Sequence, residues 1–153
     1  MKSRMGLLAI LLVVGIAAWL FFPRQATEEP AVITTEEEAE GGPVNYQVPF
    51  EIYTLGTRRD FTASRYHNLD EKVFISPEDT NFVQVRAGGV TWGDFFETLP
   101  MELTPECLVT GTGQEFCDGE GGNLRFYVNG LAEENFLERE IKEGDTALIV
   151  FEE

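Results

Sequence analysis

The sequence predicts an α+β fold, a mixed sheet with one short helix packed on it, preceded by a transmembrane helix. Three stretches carry that prediction. In the first, Leu124, Phe126 and Val128 alternate with Arg125, Tyr127 and Asn129, the period of two that gives a strand one buried face. In the second, Thr146 to Phe151 is almost wholly apolar, rich in β-branched and aromatic residues, and comes after the helix-breaking pair Gly144-Asp145. Such a run is expected to be a strand covered on both faces, which places it inside the sheet rather than at an edge. In the third, Val90 to Leu99 reads as a short helix with Thr91 as N-cap and Asp94 completing an imperfect capping box. Phe95, Phe96 and Leu99 form its buried stripe, and Pro100 ends it.

The N-terminal part of the chain supplies an address. Met5 to Phe22 is an uncharged run of 18 residues, at the lower limit of roughly 17 for crossing the hydrocarbon core as a helix. Lys2 and Arg4 precede it and six glutamates lie between it and Pro43, so the positive-inside bias puts the N-terminus in the cytoplasm. A cleaved signal peptide is the competing reading. It is disfavoured by the bulky residues of Trp19-Leu20-Phe21-Phe22 where a small-x-small cleavage site is needed. Both readings export the chain beyond Phe22. Residues 1–22 are therefore expected to be the membrane anchor, 23–43 an acidic disordered linker that cannot bury enough surface to fold, and 44–153 the extracytoplasmic domain.

Within that domain, Val48 to Leu55 has strand composition, with Pro49 marking it as an edge or the start of a strand. Gly56 to Asn68 has no period and reads as a short helix or an irregular loop. Lys72 to Ile75, the turn-forming Ser76 to Asn81, and Phe82 to Arg86 make a hairpin, with Val83 and Val85 on one face. Asn129-Gly130 tolerates positive φ and predicts a tight reversal into a short return segment. Hairpin, helix, hairpin and terminal strand is the order of a β-grasp-like fold.

The segments VTWGDFF, Cys107 and Cys117, LRFYVNG and EGDTALIVF resemble a family of small membrane-anchored archaeal and bacterial proteins of unknown function, over roughly Asp70 to the end. The VNG and GD elements are also similar to the β-grasp-like domain at the C-terminus of transcobalamin, which implies small-ligand capture as one function. Members of the first family often carry an HTHD segment ahead of an IHVES-like strand. Here Ile75-Ser76-Pro77-Glu78-Asp79 precedes Phe82-Val83-Gln84-Val85, so no histidine role carries over.

Composition narrows the function classes. Residues 44–153 hold eight Lys and Arg against 21 Asp and Glu, the wrong sign for displacing counterions from nucleic acid. Cys107 and Cys117 are the only cysteines and, outside the cytosol, are expected to form a disulfide. A thiol redox or disulfide-exchange protein using the same pair is the alternative, although its spacing is not Cys-x-x-Cys. His67 is the only histidine, which leaves no zinc set, and no metal or cofactor is expected. Asp118 to Asn123 offers oxygens but lacks the EF-hand pattern and reads as an acidic turn. No nucleophile elbow accompanies Ser64, Ser76 and His67, so no catalytic constellation is named and a non-enzymatic binding or envelope-assembly module is expected. Its candidate contacts with a protein partner or small ligand are Trp92, Arg125 and Tyr127.

Overall fold

The computed structural model describes residues 41–153; the run Met5 to Phe22, expected as a membrane helix, and nearly all of the expected linker lie outside the described residues. Among the described residues no helix is long and apolar enough to cross a membrane. The described residues form a mixed seven-stranded sheet, a three-stranded sheet and one α-helix.

β1 (Pro43–Thr54) is the longest strand and the hinge of the topology. It pairs antiparallel with β4 (Asp79–Ala87) as far as Pro49, then parallel with β10 (Ala147–Glu152) from Phe50 onward. Pro49 thus sits inside a central strand, contrary to the expectation of an edge or a start. A residue without an N–H is tolerated there because the strand exchanges partners at that point. β2 (Thr57–Arg58) takes the flank of β1 that β4 leaves, and occupies the stretch read as irregular together with a single 3-10 turn at Ser64–Tyr66.

β3 (Val73–Ser76) and β4 form the expected hairpin, with Ser76 opposite Asp79 across a two-residue turn. β8 (Asn123–Val128) pairs antiparallel with β10 and, through the Asn129-Gly130 turn, with β9 (Leu131–Ala132). Asn129 has φ 55° and Gly130 φ 76°, the left-handed pair that a tight hairpin demands. The strand order is β3-β4-β1-β10-β8-β9, so the terminal strand lies inside the sheet, as its composition predicts.

One face of this sheet carries the core. Val48, Phe50 and Ile52 of β1 align with Val83 and Val85 of β4, with Ile149 of β10 and with Phe126 of β8, and all are buried. Helix α1 (Trp92–Thr98) packs over them. Its capping box is complete: Thr91 Oγ1 accepts from the Asp94 N–H at 3.1 Å, and Asp94 Oδ2 accepts from the Thr91 N–H at 2.8 Å. Phe95, Phe96 and Leu99 form the predicted stripe, joined by Trp92. Phe136 lies between Trp92 and Phe126, stacked on each at 5.2 and 5.1 Å.

The second sheet has no counterpart among the sequence expectations. β5 (Glu102–Leu103), β6 (Cys107–Val109) and β7 (Glu115–Cys117) form it in that order, and Leu108 anchors it in the core. Cys107 and Cys117 stand directly opposite each other on β6 and β7, Cα atoms 4.1 Å apart, joined by the expected disulfide.

Candidate functional site

The other face of the main sheet has no layer over it among the described residues. Opposed residues on paired strands point to the same side, so the registers build this face row by row. Glu51, Leu148, Tyr127 and Ala132 form one row; Arg58, Tyr53, Val150 and Arg125 form the next. Tyr53, Tyr127, Leu148 and Val150 are half-buried, and Arg125 is exposed. The expectation that the last strand is covered on both faces therefore needs correction: Ala147, Ile149 and Phe151 are buried, but Leu148 and Val150 on the opposite side are only half so.

Charge is distributed unevenly over the domain. The open face carries Arg58, Arg86 and Arg125, three of the eight basic residues, in a strongly acidic molecule. Arg58 pairs with Glu51 at 3.1 Å and Arg86 lies over the Phe74 ring at 5.0 Å. Arg125 Nη1 donates to the Leu124 carbonyl at 3.2 Å and has no ion pair among the described residues. Its charge is available to a partner.

The sequence candidates separate in space. Tyr127 and Arg125 share the open face, as their common phase implies. Trp92 is 0 % exposed, packed between Phe95 and Phe136, and belongs to the core rather than to a contact surface. Tyr53 joins the face without having been a sequence candidate, although it alternates with Ile52 and Thr54 in a readable period. Leu148 and Val150 are hidden in the sequence because a continuous apolar run gives no phase.

Several other polar groups have structural partners. His67 Nε2 is 2.9 Å from the Phe61 carbonyl oxygen, and Ser76 Oγ accepts from the Glu78 N–H at 3.3 Å. The Asp118 carboxylate accepts from the Leu124 N–H. Asp60 accepts from the backbone and hydroxyl of Thr62, bonds that hold its carboxyl below the ordinary carboxylate range. Burial, then the carboxylates of Glu140, Asp145 and Glu143, push the Tyr46 phenol up. Among the described residues no three His, Cys, Asp or Glu are placed to hold a metal ion. Cys107 and Cys117 lie in strands, so neither has the helix N-terminus that lowers thiol pKa in dithiol oxidoreductases.

No family model, curated protein or solved structure matches the chain.

On the main sheet, the outer side of β3 and the part of β8 beyond β9 offer less than the face. The Asn68 N–H donates to the Ile75 carbonyl at 3.0 Å along the outer side of β3. On β8 the Asp118 carboxylate and the Glu133 N–H, 2.9 Å from the Phe126 carbonyl, fill the corresponding positions. A strand added from outside would have to displace these groups.

Proposed function

We propose that the chain is a membrane-anchored, extracytoplasmic binding module that holds a protein partner on the open sheet face. The carrying observation is the cluster of Tyr53, Tyr127, Leu148 and Val150 beside an unpaired Arg125. Aromatic residues with an arginine are the side chains that most often dominate binding energy in interfaces. The parallel pairing of β1 with β10 adds to this, since parallel strands are ordinarily covered on both faces. The domain is read as β-grasp-like: β4-β1-β10-β8-β9 has first and last strands parallel at the centre, with α1 between the opening hairpin and β8. The anchor and the outward topology rest on the apolar run Met5 to Phe22 and its flanking charges.

The test is site-specific photocrosslinking of the full-length chain in native membranes. A photoreactive residue at Tyr127 or Leu148 should give a discrete protein adduct, and one at Thr112, on the exposed β6–β7 turn, should not. Arg125→Glu should weaken the Tyr127 adduct. Equal adducts at all three positions, or none at Tyr127 and Leu148, would sink the proposal.

A further inference from the structure

A groove of about 650 Å3 lies between α1 and β5, beside the 3-10 turn Phe136–Glu138. It is on the helix side of the main sheet, away from the open face. Gly93 lets that turn approach the helix: a Cβ there would lie 2.8 Å from the Leu137 carbonyl oxygen. Phe96, Met101, Leu103 and Leu137 give the groove apolar walls.

Its charged lining is of one sign. Asp94, Glu97, Glu102 and Glu138 face it, and none of the eight basic residues of the described chain does. Asp94 is committed to the helix cap. The side chains of Glu97, Glu102 and Glu138 have no hydrogen bond or ion pair among the described residues. By contrast Glu51, Glu133 and Glu140 each lie within 4.0 Å of an arginine or lysine. Three unpaired carboxylates around one apolar trough repel one another, and a cation placed there relieves that repulsion.

The backbone adds direction. β5 is an edge strand of the three-stranded sheet, and Met101, Glu102, Leu103 and Thr104 all line the groove. The Thr104 N–H is committed to the Cys107 carbonyl at 2.9 Å, but the outer side of β5 has no strand partner among the described residues, so an extended chain can take up the amides and carbonyls that β5 turns outward.

We propose that this groove docks an extended segment of a partner protein in which lysine or arginine alternates with apolar side chains. Successive side chains of an extended peptide point in opposite directions, one set entering the trough and the other meeting the carboxylates. This goes beyond the open-face reading and does not depend on it.

The experiment uses the full-length chain in a mild nonionic detergent, with empty micelles as blank. Fluorescence anisotropy tracks a short labelled peptide of alternating Lys and Leu. Saturable binding is expected, weakened about tenfold by Glu97→Gln, Glu102→Gln and Glu138→Gln together, three rim pairs of modest strength each. Peptides of alternating Glu and Leu, or Lys and Ser, should bind at least tenfold more weakly. Equal binding of either control peptide, or unchanged binding by the triple variant, overturns the proposal. A circular dichroism spectrum like that of the parent separates lost binding from lost fold, and three single Gln variants replace the triple one if it unfolds. Crosslinks from Tyr127 are independent of this outcome, so failure here and failure of the open face are told apart.

Discussion

Asn129 Nδ2 donates to Asp145 Oδ1 at 2.7 Å, joining the turn after β8 to the turn before β10. Asn129 Oδ1 in turn accepts from the Thr146 N–H at 2.9 Å, and the Asn129 N–H donates to the Thr146 carbonyl at 2.9 Å. The VNG and GD segments are therefore two halves of one contact. Arg139, 3.7 Å from Asp145 and 2.8 Å from Glu133, adds a charge to the same cluster.

Because Asp145 is buried, removing the Asn129 amide leaves its Oδ1 with only the 3.7 Å contact to Arg139. Asn129→Ala is expected to cost about 1 to 3 kcal/mol in urea denaturation, with a further cost from the left-handed φ of that residue. Asn129→Asp should cost more at neutral pH than at pH 4, since it sets two carboxylates against each other until one is protonated. A loss that does not change with pH would mean that the two side chains do not meet in solution.

The disulfide closes a short loop, Cys107 and Cys117 being ten positions apart. Replacing both with Ser should lower stability by about 2 to 3 kcal/mol in the loop-entropy model. The effect should centre on β5–β7, because β1, β4, β8 and β10 make their own ladders. Hydrogen exchange would check this: amides of Leu108 and Phe116 should exchange faster in the variant, while those of Ile52 and Ile149 keep the greater share of their protection.

Trp92 separates packing from hydrogen bonding. Its Nε1 is buried without a partner among the described residues, so Trp92→Phe removes an unsatisfied donor while keeping an aromatic ring beside Phe136. Trp92→Ala should cost about 3 to 5 kcal/mol and Trp92→Phe distinctly less, measured by thermal denaturation. Equal losses would mean that the indole's shape, not its aromatic contact, is what the core needs.

The raised Tyr46 phenol gives a pH dependence of definite sign. Its neutral form donates to the Ile141 carbonyl at 2.6 Å, tying β1 to the segment before β10. The stabilisation is fully present below the ordinary phenol value of about 10 and is lost as pH rises through the higher value of the folded state. Tyr46→Phe should lose about 1 kcal/mol at neutral pH and flatten the alkaline fall in stability. Ultraviolet titration should lose its late phase; persistence of that phase would assign it to another tyrosine.

Legibility in the sequence tracks periodicity. β8 and α1 repeat at 2 and near 3.6 residues, and both form where those periods place them, as does the turn at Asn129-Gly130. The small sheet is invisible in the sequence because its strands are two or three residues long, too short for a period to be counted. Pro49 misleads because composition does not register a strand that changes partners midway. Half of the open face is legible, since Arg125 and Tyr127 share a phase. Leu148 and Val150 are not, because nothing within an apolar run distinguishes one side from the other.

The pairing of β1 with β10 also sets an order of events during synthesis. Phe50 and Ala147 are neighbours in the sheet although about a hundred residues apart in the chain, a separation that slows folding. A ribosome delivers β1 among the first described elements and its parallel partner last. Until Ala147 emerges, Phe50 and Ile52 wait beside a vacant lane in the nascent chain, even after the β3–β4 hairpin and α1 have formed. Products halted before that residue would display an apolar strand with open backbone groups, a mark for proteolysis or aggregation.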